Sequence, residues 1–343
     1  MGRSARLETL KRDLAASGRT WTESKTVSDD DRGREAGHPG QIPTRGWLDV
    51  LRRAWSEISE ANLFLVAGGV TYAVLLALFP ALAALVSLYG LVLDPSQIEK
   101  QVGALAGILP SESQQLLTQE LHQLAHASGG TLGIGVIVGI LFALWSASRG
   151  TSGLMTAIDI AYEEKERRSF LKFNLIALAL TLGLIIGSIV VIALIAVLPA
   201  AVEFLHLGAL AKWVLLLAEW PLLIVLVMFG LAVLYRYAPD RDKPQWRWVS
   251  PGAGAATFLW LIASVAFTVY VANFNSYDKT YGSLGGVVIL LSWLYISALS
   301  VLFGAVINAQ SEKQTRKDST EGEPQPMGGR RASAADTLGE SRA

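Results

Sequence analysis

Residues 249–308 read VSPGAGAATFLWLIASVAFTVYVANFNSYDKTYGSLGGVVILLSWLYISALSVLFGAVIN. Two apolar runs, 249–272 and 284–308, flank a polar island, Asn273–Gly286. An α-helix rises ~1.5 Å per residue, so each run can cross a hydrocarbon core ~30 Å thick. Only helices and closed barrels satisfy every backbone polar group in lipid, and continuous apolar runs of this length select the helix. The stretch therefore predicts a membrane-spanning helical hairpin.

Working outward from it, four more apolar runs appear near 63–88, 132–148, 173–198 and 213–235. The second is the shortest, and it either ends there or continues, bent at its glycines, into the amphipathic run 151–162. The composition agrees: 52% of the 343 residues are hydrophobic and 17% charged, a balance poor in surface charge for a soluble chain of this size. The expected fold is all-α: a polytopic membrane protein of six transmembrane helices. The net charge of zero gives no global basic field toward nucleic acid. With no cysteine, disulfides, thiolate nucleophiles and Cys-ligated metals are excluded.

Outside the apolar runs the chain is divided. Residues 1–45 and 311–343, rich in charge, Gly, Ser and Pro, are expected to be disordered tails around a membrane domain at 46–310. Residues 47–60 place Trp47, Leu51, Trp55 and Ile58 on one helical face, which predicts an interfacial N-terminal helix. The connection 94–130 carries capping-box starts at Ser96/Glu99 and Ser111/Gln114 and predicts an outside amphipathic helical hairpin. Lys and Arg set the orientation: residues 1–62 hold 11, 148–172 five, 235–248 four and the tail after 309 six. The remaining connections hold only Lys100, Lys212 and Lys279, so both termini are expected in the cytosol.

Three stretches then carry a resemblance. Ala67–Gly90 contains Tyr72 and Leu78-Phe79-Pro80; Leu144–Gly150 reads LWSASRG and continues to Glu166-Arg167-Arg168-Ser169; Tyr235–Ala305 contains YGSLGG at 281–286 and Trp293-Leu294-Tyr295. In this order they resemble the YihY/BrkB family of bacterial inner-membrane proteins over residues 47–310. The resemblance departs at Asp159, where many members carry Asn. It implies a six-helix, multi-pass protein of the inner membrane. Members carry a ribonuclease BN name or a virulence label, and roles in lipid or solute transport have been proposed for the family.

Candidate chemistry is sparse. Metal-dependent RNA hydrolysis needs clustered His, Asp and Glu, and only His122 and His126 lie close, in HQLAH, where Gln123 replaces the glutamate a zinc protease would use as base. No nucleotide loop or nucleophile elbow is present. No catalytic, cofactor-binding or metal residue is assigned, and no cofactor is expected. Polar groups at membrane depth carry more information, because unsatisfied ones are costly there. Tyr72, Pro80, Arg149, Asn273, Asp278, Tyr281 and Gly282 are the candidate lining of a polar cavity or substrate path; the alternative is ordinary helix packing, hairpin capping and, for Arg149, snorkelling to the headgroups. Arg167, Arg168 and Arg236 are candidate inner-face anion contacts. Gly135/Gly139 and Gly183/Gly187 have the small-xxx-small spacing of packed helices. The leading expectation is movement or export of a small solute or lipid without an ATP site of its own. The alternatives are a non-transporting envelope scaffold and the inherited nuclease role. Substrate, coupling ion and oligomeric state are not encoded legibly, and the expected partners are the lipid bilayer and that solute, with no nucleic acid.

Overall fold

The structure, a computed structural model, describes the backbone of residues 31–90, 132–204, 209–273 and 284–341; side chains at 79–90, 132–140, 196–204, 209–213, 216 and 284 are excluded. Its elements are a 3-10 turn at Pro39–Gln41 and eight helices: α1 Thr44–Glu60, α2 Leu63–Gly90, α3 Leu132–Ala161, α4 Phe170–Phe204, α5 Ala209–Tyr237, α6 Trp246–Asn273, α7 Leu284–Glu312 and α8 Ser333–Asp336. Among the described residues there is no strand, only an isolated bridge between Pro244 and Thr320. The all-helical expectation holds. The proposed hairpin at 94–130 lies outside the described residues.

Four helices are long and apolar enough over described residues to cross a membrane: Phe170–Ile195, Leu217–Tyr237, Trp246–Asn273 and Gly285–Glu312. A fifth candidate is the bent pair Thr44–Glu60 and Leu63–Leu78, whose axes differ by 67°. The bend is made at Asn62, which adopts φ 52 and offers its carbonyl to the amides of Leu65 and Val66. Asparagine is among the few residues that tolerate the left-handed region. α3 runs unbroken through Gly150 and Gly153, so the second apolar run and the amphipathic segment after it are one helix.

The six long helices form a closed ring in chain order, α2 to α7, with α7 packing back on α2 and also crossing to α3. The loops 162–169 and 238–245 and both described terminal segments meet at one end of this ring, called proximal here. The buried core lies in the proximal half and is dominated by small side chains, among them Ala67, Ala157, Ala161, Ala177, Ala253, Ala256, Ala298, Ala305 and Ala309. Lipid tails are as apolar as leucine, so helices in a bilayer gain little from burying large apolar groups. Close backbone approach and interhelical hydrogen bonds drive association instead. Beyond the core, α4 presents Leu182, Leu184, Ile186, Ile189 and Ile192 to its surroundings, and α6 presents Phe258, Ile262, Val265 and Val269. Apolar surface this continuous is compatible with hydrocarbon and not with water.

The closest contact is between α6 and α7. A Cβ built on Gly252 would stand 2.0 Å from the Gly304 carbonyl oxygen, and one on Gly304 would stand 2.5 Å from the Gly252 carbonyl oxygen. Pro251 sits inside α6 just before Gly252. The buried Asn308 side chain accepts from the Gly252 amide at 2.7 Å and donates to the Val249 carbonyl at 3.2 Å, fixing α7 to that turn. Gly150 and Gly153 do the same for α3 against Ala77 and Ala73 of α2. Gly183 and Gly187, whose spacing suggested packing, have nothing within 4 Å of a built Cβ. Their spacing arises on a face of α4 that no described helix covers.

The terminal segments are a second correction. Residues 31–45 and 311–341 were expected to be disordered, yet Gln314, Thr315, Ser319 and Thr320 are buried. The Arg34 guanidinium donates to the carbonyls of Lys313, Gln314 and Gly339, and Thr315 donates to the Ala36 carbonyl. Polar residues can be ordered when their hydrogen bonds close on one another, which composition alone does not reveal.

Candidate functional site

Arg149 is placed deeper than the sequence suggested. It lies twelve residues before the α3 end at Ala161, about 18 Å along the helix. Its near neighbour Thr151 shares a 2.8 Å hydrogen bond with Thr181, which is near the middle of the apolar stretch Phe170–Ile195 of α4. Arg149 is therefore level with the centre of that stretch rather than with its proximal edge.

Its direction follows from the helix periodicity. Phe142, Trp145, Thr156 and Ile160 share the Arg149 stripe of α3 and are exposed. Thr156 and Ile160 lie in the proximal half, where Met155, Ile158 and Ala161 fill the interior. The stripe thus faces outward from the bundle. The guanidinium sits 4.4 Å from the Trp145 ring centroid, and its Nε is buried with no hydrogen-bond partner among the described residues. A cation over an indole gains some stabilisation, but its donors still call for acceptors. Ser148 and Ser152 turn their hydroxyls back to the α3 carbonyls of Trp145 and Ser148, so they do not supply them.

Of the other cavity candidates, Tyr72 is on the outward stripe of α2 with Leu65 and Leu76, all exposed. Because Gly153 meets Ala73 and Gly150 meets Ala77, Tyr72 and Arg149 sit on adjoining helices about one to two turns apart. The α2 helix continues through Pro80. Asn273 ends α6 and donates back to the Val269 carbonyl at 2.7 Å, on a helix that does not pack against α2 or α3. Asp278, Tyr281 and Gly282 lie outside the described residues. The structure thus places Tyr72 and Arg149 on adjoining helices and Asn273 on a helix apart from them.

The three candidate anion contacts belong to a polar layer at the proximal end. The Arg168 side chain is buried and bonds Glu166 at 2.6 Å, with Asp159 at 3.7 Å and Asp240 at 3.8 Å. Arg236 pairs with Glu321 at 2.5 Å and lies 4.7 Å from the Trp246 ring. Both charges are thus met by carboxylates of the same chain. Arg167 is exposed, and its amide donates to Asp240 at 2.7 Å. Arg241 and Glu312, whose side chains are each 0% exposed, form a two-pronged pair at 3.0 and 2.6 Å, with the guanidinium 5.2 Å from the Tyr162 ring. Arg53 bonds Gln310 and Gln314, and burial, with Arg34 nearby, pulls its pKa down to about 10. Burial raises the Glu164 carboxyl, which accepts from the Ser333 amide. Burial alone would raise Asp318, but hydrogen bonds from Thr320, Gln325 and Arg330 outweigh it and hold it down to about 2.

The sequence reading missed Arg241, Glu312, Asn308 and Gly304. Glu312 falls in the segment whose composition reads as a disordered tail, and Arg241 counts in the sequence only toward the orientation of the chain; the available signal is matching opposite charge between the 235–248 connection and the tail. Among the described residues, no group of three or more His, Cys, Asp or Glu side chains could hold a metal ion. His122 and His126 lie outside them.

The family described as Virulence factor BrkB matches residues 54–328. The chain is 32% identical over 253 residues to the ribonuclease-like protein YfkH of Bacillus subtilis, covering 71% of this chain and 88% of that one. It is 29% identical over 256 residues to a UPF0761 membrane protein of Haemophilus influenzae, covering 73% and 90%. A UPF0761 membrane protein of Idiomarina loihiensis is 27% identical over 276 residues, covering 78% and 92%. No solved structure matches.

Proposed function

The chain belongs to the Virulence factor BrkB family of membrane proteins, and from that premise we propose that it moves a small solute or lipid across the bacterial inner membrane. In this reading it spans six times, keeps both termini in the cytosol and uses no ATP site of its own. The proximal end is then cytosolic, in keeping with the Lys and Arg of its loops.

One observation carries the proposal: Arg149, stacked on Trp145, lies on an outward face level with the middle of the apolar stretch of α4. A charged side chain near the bilayer centre is disfavoured by at least ~2.5 kcal/mol and is retained where it meets a substrate, a polar path or a partner. An outward stripe suits an amphiphile whose chains stay in lipid while its anionic headgroup passes Arg149. Arginine suits that role because it stays charged in apolar surroundings and presents a fork of donors.

The test is flux. Proteoliposomes holding the protein are assayed for efflux of small anions and for exchange of fluorescent phospholipids between leaflets. Charge-assisted hydrogen bonds are worth ~1.5–3 kcal/mol, so Arg149→Ala is expected to lower the rate roughly 10- to 100-fold, with Arg149→Lys intermediate. Rates for the unaltered protein equal to protein-free vesicles across both panels would reject the reading. The envelope-scaffold alternative draws on the folded terminal segments at the proximal end, and absent flux would favour it. RNA hydrolysis, suggested by the B. subtilis relative's name, has no supporting residue cluster among the described residues.

A further inference from the structure

α1 leaves the bundle at 67° to α2, so with α2 crossing the membrane it lies closer to the bilayer plane than to its normal. Val50, Ala54 and Ile58 fix its inner face to the core. The opposite face carries Leu48, Leu51 and Trp55, exposed by 61%, 49% and 69%, with Arg45 and Arg52 following directly around the helix. Phe303 of α7 completes an open cleft of about 660 Å³ with these residues. Its one carboxylate, Asp49, already pairs with Arg32 at 2.7 Å. Among the described residues Arg45 holds one exposed, 3.3 Å contact with Asp31, a kind of pair that water readily replaces. Arg52 has no ion pair among the described residues.

An apolar floor of two leucines and two aromatic rings, bounded on one side by arginines, complements one ligand chemistry: an acyl chain joined to a phosphate. A soluble anion would leave the floor exposed, and a neutral lipid would leave the arginines unmet. We propose that this cleft binds one anionic glycerophospholipid from the leaflet at the proximal end, its phosphate on Arg45 and Arg52 and an acyl chain along Leu48, Leu51, Trp55 and Phe303. The site is separate from Arg149 and does not depend on transport.

Native mass spectrometry of the full-length protein, titrated with phosphatidylglycerol or phosphatidylcholine, tests it. One tightly held phosphatidylglycerol is expected, with phosphatidylcholine clearly weaker. Each basic residue at an anionic membrane surface contributes about fivefold in affinity, so Arg45→Ala with Arg52→Ala is expected to weaken phosphatidylglycerol about 25-fold while leaving phosphatidylcholine unchanged. Both side chains are exposed, so the thermal midpoint should hold. Trp55→Ala removes floor and no charge, and is expected to weaken both lipids. Glycerol 3-phosphate, the headgroup without chains, should not compete. Equal binding of the two lipids, unchanged binding in the arginine variant, displacement by glycerol 3-phosphate, or a dimer in place of the lipid adduct would each overturn the proposal. Arg149→Ala is expected to retain the adduct, so loss of flux and loss of lipid binding are read separately.

Discussion

Gly252→Ala and Gly304→Ala will each disrupt the bundle, although alanine is the better helix former. A methyl on Gly252 would sit 2.0 Å from the Gly304 carbonyl oxygen; one on Gly304 would sit 2.4 Å from the Tyr235 hydroxyl and 2.5 Å from the Gly252 carbonyl oxygen. Two of these three neighbours are backbone, so no rotamer change relieves them. The helices must part, and parting strains the Asn308 clamp on Gly252 and Val249 and the 2.7 Å bond from Tyr235 to the Val301 carbonyl. Overpacking costs about 1–3 kcal/mol and sometimes more; with backbone on both sides, about 3 kcal/mol is expected for each. Gly153→Ala, whose methyl would meet the Ala73 Cβ at 3.0 Å, should cost less. Gly183→Ala and Gly187→Ala have open space and should be neutral or gain up to ~1 kcal/mol from helix propensity. Thermal unfolding of purified variants in detergent gives the order directly. Equal midpoints for the Gly252 and Gly183 variants would contradict the α6–α7 contact.

Breaking the Arg241–Glu312 pair is the second large effect. Neither side chain is exposed, and Glu312 also accepts from the Ser319 hydroxyl, so the pair ties the α5–α6 loop to the C-terminal segment. Removing one partner leaves the other charge buried without its counterion, at a cost of roughly 3–5 kcal/mol. Arg241→Ala and Glu312→Ala should each release residues 313–341, seen as new sites of limited proteolysis after Lys and Arg in that segment. Arg241→Met with Glu312→Leu removes both charges and keeps volume, so most of the loss should return. Protease resistance in either single variant equal to that of the unaltered protein would show that the pair does not hold the segment.

These two sites mark where sequence reasoning stops. The helices follow from apolar runs such as 249–272 and 284–308, because run length and hydropathy are local properties. Gly252 and Gly304 are 52 positions apart, and their contact depends on how two helices cross. The terminal segment shows the complementary problem. Its composition is that of a disordered chain, but its Glu312 and Glu321 are met by Arg241 and Arg236 of the 235–248 connection, a pairing visible only once the loops share one end. Arg149 was legible as a charge in an apolar setting. Its depth was not, because the apolar run ends at Ser148 while the helix continues to Ala161.

The account turns on Arg149 lying at mid-span depth on a path that polar groups can reach. The chain has no cysteine, so a single introduced thiol has no background. Arg149→Cys is compared in proteoliposomes with Ile186→Cys, an exposed apolar position on α4, and Lys165→Cys in the proximal loop, using a membrane-impermeant thiol reagent. The thiolate is the reactive form and apolar surroundings suppress it. The account predicts that position 149 reacts more slowly than 165 but at least about tenfold faster than 186. A thiol at 149 as inert as the one at 186 would contradict it.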